Sequence, residues 1–184
     1  MVRFSSVKRT TLCAVCIALC YVLPVAFHSV GLGGIFSPMH IPVLLCGMIT
    51  SGGYGFLCGL IGPVVSHLLS GMPGAMMLPR MIPELCAYGL VAGLAMKYIR
   101  TGRNSADIYI SLVAAMVAGR IVGGIATAIF YTVTSGVYSI ALWATSYFVE
   151  SVPGIVAHLI IVPVLVLTLQ KARMIPAHRA KSKT

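Results

Sequence analysis

Long apolar runs, separated by short breaks rich in glycine, proline or charge, make up most of this chain. The stretch from residue 10 to residue 79 contains no Asp, Glu, Lys or Arg, and it is long enough for more than one membrane crossing at about 20 residues per helix. Backbone groups in lipid must be hydrogen-bonded internally, which leaves helices or a closed barrel. Runs such as LCAVCIALCYVL lack the period-two alternation of a barrel strand. The pattern therefore predicts an all-α integral membrane protein.

Turn signals and charged residues divide the chain into six predicted helices. They cover residues 7–27, 40–49, 54–70, 80–99, 108–133 and 152–170. The second is short for a full crossing, which indicates a tilted or broken helix. The segment YSIALWATSYFVE between the last two is either a short outer helix or an extension of a neighbour. We expect one membrane domain over residues 1–184, in which 1–6 precede the six-helix region 7–170 and 171–184 form a basic tail.

The positive charge is concentrated in three clusters that flank the apolar runs. Of the 13 Lys and Arg residues, all but two lie before the first apolar run, in the polar break at 97–107, or after the last apolar run. Lys and Arg accumulate on the cytoplasmic side of membrane helices. The sequence therefore predicts a six-transmembrane-helix bundle with both termini cytoplasmic, and it explains the net charge of +10 without nucleic-acid binding.

Small residues and cysteines recur at helical spacing. Gly55 and Gly59, Gly89 and Gly93, Gly119 and Gly123, and Ala14 and Ala18 are each four residues apart, as in membrane helices whose backbones approach closely. Three of the six cysteines, Cys13, Cys16 and Cys20, share one face of the first helix, where cysteine packs as a small apolar residue. No second cysteine pair or histidine pair completes a metal site, so none is predicted.

The few ionisable residues inside the apolar region gather near the predicted outer ends of the helices. An intramembrane charge is costly unless it is paired or faces water, so we expect a polar pocket open to the outside. Arg120, about 13 residues into the fifth predicted helix and so roughly 20 Å along it, is not expected to face lipid. The candidate substrate-binding residues are Arg80, Glu84, His40, Arg120, Glu150, His158 and Trp143.

Each candidate also has an ordinary structural interpretation. Arg80 and Glu84 are spaced for an ion pair along one helix face, and Arg120 could instead cap carbonyls or pair with Glu150. Trp143 and its neighbouring tyrosines suit an interfacial aromatic belt. Tyr54 and Tyr88 are excluded from the pocket because they lie too deep or cannot be placed.

Enzyme motifs are missing from the sequence. It contains no HExxH, no GxSxG and no GxxxxGK[ST], the patterns of metalloproteases, serine hydrolases and P-loop ATPases. We therefore expect a non-enzymatic chain, and any ATP-driven step would be carried out by another subunit.

Four segments in this six-helix frame, which together span nearly the whole chain, resemble a known family. They are CAVCIA, HIPVLLCGMITSGGYGFLCGLIGPVVSHLLSGMP, PELCAYGLVAGL and ESVPGIVAHLIIVPVLVLTLQKA. The sequence is similar to the S components of energy-coupling factor (ECF) transporters, which capture vitamins. The resemblance implies a multi-pass subunit of the bacterial plasma membrane that binds a vitamin or cofactor precursor from outside.

The resemblance also implies partners. In S components a small-residue first helix docks on a transmembrane coupling subunit that carries two cytoplasmic ATPases, so Ala14 and Ala18 become candidate docking residues. ATP is then used by the partners, and no cofactor is expected on this chain. Substrate would be released inside when the subunit topples within the membrane.

The sequence does not identify the substrate. Two arginines would suit a carboxylate such as pantothenate, whereas the glutamates could neutralise them or bind an amine; pyridoxine, cobalamin and queuosine precursors remain candidates. One alternative function is a self-sufficient secondary transporter, although no internal repeat is evident. The other is a membrane scaffold subunit without a ligand.

Overall fold

The computed structural model describes residues 5–29, 31, 38–134 and 152–175. Within these ranges the chain forms six α-helices and no strand. They are α1 (Ser6–Ser29), α2 (His40–Ile49), α3 (Gly52–Ser70), α4 (Leu78–Tyr98), α5 (Asn104–Thr134) and α6 (Val152–Lys171). The predicted all-α class is confirmed, and each boundary lies within a few residues of its predicted position. The segment at 138–150 lies outside the described residues.

Four of these helices are long and apolar enough to cross a membrane. They are α1, α3, residues 104–133 of α5, and α6. By contrast, α2 has only 10 residues, and α4 carries Arg80, Glu84 and Lys97 within its 21 residues. The chain is a membrane protein, while the six crossings and the cytoplasmic termini remain predictions.

Contacts between helix ends show that successive helices alternate in direction. The Thr10 and Tyr54 hydroxyls, near the starts of α1 and α3, lie 3.4 Å apart. Asn104, at the start of α5, donates from Nδ2 to Gln170 Oε1 at the end of α6, at 2.6 Å. The Lys8 ammonium donates to the Met174 carbonyl at 2.9 Å. We call this the basic end of the bundle, and the opposite end, where α2 and α4 begin, the site end.

Helix α2 is the centre of the bundle. All ten of its residues are buried, and it packs against each of the other five helices in the described structure. A helix enclosed on every side must be apolar all round, which explains the sequence HIPVLLCGMI. Its one polar side chain is His40, at its first residue, so the fold places an imidazole inside the site end.

Glycines hold α2, α3 and α4 in backbone contact. A Cβ built on Gly55 of α3 would lie 2.7 Å from the Cα of Gly47 on α2 and 2.7 Å from the carbonyl carbon of Gly89 on α4. Gly93 meets the backbone of Gly52 in the same way. We call these residues the glycine seam: Gly47, Gly52, Gly55, Gly59, Gly89 and Gly93. The predicted close packing of the first two glycine pairs is thus confirmed, since no side chain fits between these backbones.

Cysteines pack α1 onto this core. The buried residues of α1 are Cys13, Cys16, Cys20 and Pro24, which confirms the predicted cysteine face. The Cys20 sulfur fits against Gly62, where an added Cβ would lie only 2.8 Å away. All six cysteines are buried and free, so they act here as small packing residues. The other face of α1 is left exposed.

Candidate functional site

Helix α4 presents Arg80, Glu84 and Tyr88 along one face at intervals of four residues. The helix begins at Leu78 with Pro79 in its first turn, where a missing N–H costs no helical hydrogen bond. Arg80 is therefore at the site end, and Glu84 and Tyr88 follow one and two turns deeper. This spacing places the three residues on one side of the helix.

Glu84 is a buried carboxylate between α2 and α5. The residue is 7% exposed, and its Oε1 lies 3.6 Å from Nε2 of His40. Its Oε2 faces Gly123 of α5, where an added Cβ would lie 2.8 Å from that oxygen. The absence of a side chain at position 123 is what gives the carboxylate its space.

His40 links Glu84 to two more helices. Its ring meets the ring of Tyr88 edge-on, with centroids 5.1 Å apart, and lies 5.6 Å from the ring of His158 on α6. His158 is 3% exposed and Tyr88 is 2% exposed. We call His40, Glu84, Tyr88 and His158 the buried polar cluster. Three residues predicted from the sequence, on α2, α4 and α6, are thereby brought together.

Tyr88, which was left out of the pocket predicted from the sequence, contacts His40 in the structure. Its ring packs against Gly119, where an added Cβ would lie 2.8 Å from two ring carbons, and this packing turns its edge towards His40. The signal that identifies it is its position four residues after Glu84, on the same helix face. Gly119 and Gly123, predicted as helix-packing residues, here make room for Tyr88 and Glu84.

The alternative of an Arg80–Glu84 ion pair is wrong for this structure. The Arg80 Nε donates to the Met76 carbonyl at 3.2 Å, and its guanidinium reaches the Tyr131 hydroxyl at 3.4 Å. It also lies 5.3 Å from the Tyr131 ring centre and 5.6 Å from that of Phe130, a cation–π arrangement. Arg80 therefore extends towards the end of α5, whereas Glu84 turns inward to His40.

Arg120 is buried in α5, as expected for a charge that cannot face lipid. It is 7% exposed and directly follows Gly119, the residue that contacts Tyr88. Thr127, one turn beyond Gly123, is also buried, at 5% exposed, and was not predicted. Helix α5 therefore carries two buried polar side chains in addition to the glycines that face Tyr88 and Glu84.

The other predicted residues fall elsewhere. Glu150 and Trp143 lie outside the described residues, so their predicted binding roles stay predictions. Ala14 and Ala18 lie on the exposed face of α1, away from the cysteine face. In the described part of the chain, no group of three or more His, Cys, Asp or Glu side chains could hold a metal ion.

Comparison with known proteins identifies the family. A family model described as "ECF transporter, substrate-specific component" matches residues 8–166, which include almost all of the six helices. The chain belongs to this family. S components bind small-molecule substrates and work with membrane and ATPase partner subunits. No curated protein and no solved structure matches the chain, so the family alone defines its function, as the substrate-specific subunit of an ECF transporter.

Proposed function

We propose that this S component captures a vitamin or cofactor precursor at the buried polar cluster, for ATP-driven uptake by its partner subunits across the bacterial plasma membrane. The observation that carries the proposal is the convergence of His40, Glu84 and His158 from three helices in a chain with only three acidic residues. Polar groups inside a membrane protein are costly and concentrate where a substrate binds. Arg80, Arg120, Glu150 and Trp143 complete the proposed binding set.

The proposed orientation places the site end outside the cell. The basic residues at the opposite end, among them Lys97, Arg103 and Lys171, are exposed and suit the cytoplasmic side. This orientation implies six crossings and cytoplasmic termini. An outer pocket then requires a movement of the whole subunit to release its substrate inside.

The proposed docking surface is the exposed face of α1. Ala14 and Ala18 lie one turn apart on it, and their small side chains would let a partner helix approach closely. The cysteine face of the same helix is buried against the core. A membrane partner of the kind that the family requires would therefore meet α1 on its alanine side, while the partner ATPases supply the energy.

The test is equilibrium binding of a vitamin panel to the purified full chain in detergent, without partner subunits. We expect one class of compound to bind with a submicromolar Kd, and His40→Ala to weaken that binding strongly. The matched control is His67→Ala, because His67 bonds to the Pro73 carbonyl at 2.7 Å in the loop after α3 and is not part of the cluster. Absence of binding across the panel, or equal losses in the two variants, would contradict the proposal.

A further inference from the structure

Glu84 has an unusual environment for a buried carboxylate. Among the residues that the structure describes, its ion-pair partner is His40 at 3.6 Å, which is beyond the usual 2.7–3.2 Å of an N–H···O hydrogen bond. Neither Arg80 nor Arg120 is joined to it by an ion pair in the described residues. A buried carboxylate is costly unless it is paired and hydrogen-bonded, and ionisable groups inside a membrane protein mark substrate and ion pathways.

The chain treats its other described acid differently. Asp107, at 3% exposed, accepts hydrogen bonds from the backbone nitrogen and the hydroxyl of Thr101, both at 2.7 Å. These bonds close the turn between α4 and α5 at the basic end. Asp107 is thus a structural acid with its own donors, while the ion-pair contact of Glu84 among the described residues is the longer one to His40.

The surroundings of Glu84 define the chemistry of its missing partner. A carboxylate only accepts hydrogen bonds, so its partner must donate. The His40 ring lies beside it and contacts the rings of Tyr88 and His158, and aromatic faces and edges favour planar and cationic ligands. The Arg80 guanidinium, the group best suited to a ligand carboxylate, extends away from Glu84 to Tyr131 and the Met76 carbonyl.

We propose that Glu84 binds a protonated amine or an N–H-donating amino group of a nitrogen-heterocyclic substrate. This inference rests on the proposed function and narrows it from vitamins in general to amino-bearing or cationic heterocycles. The competing interpretation is that Glu84 is a structural partner of a protonated His40.

A first experiment separates these interpretations without any ligand. Glu84→Gln and Asp107→Asn make the same change from acid to amide at two buried sites, and thermal unfolding of the purified chain in detergent measures both. We expect Glu84→Gln to leave Tm unchanged or to raise it by about 2–4 °C, because the substitution removes a buried charge whose ion-pair contact with His40 is long, at 3.6 Å. Asp107→Asn should lower Tm, because the paired charge is lost. A fall in Tm for Glu84→Gln comparable to that for Asp107→Asn would overturn the proposal.

A second experiment tests the substrate class. Six probes form three pairs. Thiamine and pyridoxamine are cationic or carry an amino group, whereas pyridoxine and riboflavin lack an amino group. Pantothenate and biotin are carboxylates. We expect the first pair to bind. Glu84→Gln should weaken their affinity about 10- to 100-fold, as for the loss of a hydrogen bond to a charged group, and Asp107→Asn should leave their affinity unchanged. A submicromolar carboxylate ligand that Glu84→Gln leaves unaffected would overturn this inference but support the proposed function. Absence of binding by all six probes would count against both.

Discussion

The glycine seam makes a quantitative prediction for Gly55→Ala. The new Cβ would lie 2.7 Å from main-chain carbons of both Gly47 and Gly89. Because such carbon contacts relax at about 3.5 Å, α2 and α4 must each retreat from α3 by about 0.8 Å. Backbone atoms cannot rotate aside as a side chain does, so the cost should reach the upper part of the usual range for overpacking, about 2–3 kcal/mol.

The assay is thermal unfolding of the purified chain in detergent. For a chain of this size each kcal/mol lowers Tm by about 2–4 °C, so we expect Gly55→Ala to lower Tm by about 4–12 °C. The matched control is Gly53→Ala, two residues earlier on the same helix, where nothing lies within 4 Å of the new Cβ. Both variants gain the same helix propensity from alanine, so the difference between them isolates the clash. If the two variants melt within about 1 °C of each other, the seam does not set the helix spacing.

Three further variants probe the site and the docking surface. Gly123→Ala puts a Cβ 2.8 Å from Glu84 Oε2 and 3.0 Å from Glu84 Cβ. Because the carboxylate can rotate and the contact with the fixed Cβ is longer than those at Gly55, we expect substrate affinity to fall about 10-fold with a smaller loss of Tm than in Gly55→Ala. Arg80→Ala removes the link between α4 and Tyr131 and should reduce affinity, measured by calorimetry, more than it reduces Tm. Ala14→Leu should leave binding by the isolated chain intact while reducing uptake by the complete transporter about 10-fold or more, since close helix approach is lost.

Each of these variants has a contradicting result. Equal losses of Tm in Gly123→Ala and Gly55→Ala would mean that α5 packs on Glu84 as rigidly as α2, α3 and α4 pack on one another at the glycine seam. Unchanged affinity in Arg80→Ala would remove that residue from the binding set. For Ala14→Leu the control is Ala26→Leu, which makes the same change at another exposed position of α1; similar uptake defects, or loss of binding in Ala14→Leu, would refute the docking assignment.

The sequence predicts the helices well because their signals are local. Apolar runs end at glycine, proline or charge, and the cysteine face of α1 follows from spacing alone. The location of the polar residues at the site end can also be predicted from the sequence, since few positions in this apolar chain carry charge. The sequence therefore predicts His40, Glu84 and His158 as candidate binding residues, although it does not show their contacts.

The errors have a common physical cause, which is that spacing does not decide side-chain direction. Arg80 and Glu84 are four apart, yet the aromatic rings of α5 attract the guanidinium and His40 faces the carboxylate. Tyr88 depends on Gly119, 31 positions later in the chain. Such choices are made by packing between helices, which a linear pattern does not specify.

The glycine seam also restricts the relative motion of α2 and α4. His40 and Glu84 sit on two helices whose backbones touch, so their separation cannot change without breaking the seam. In the proposed reorientation of the subunit, the contact between α2 and α4 would carry His40 and Glu84 together as one unit.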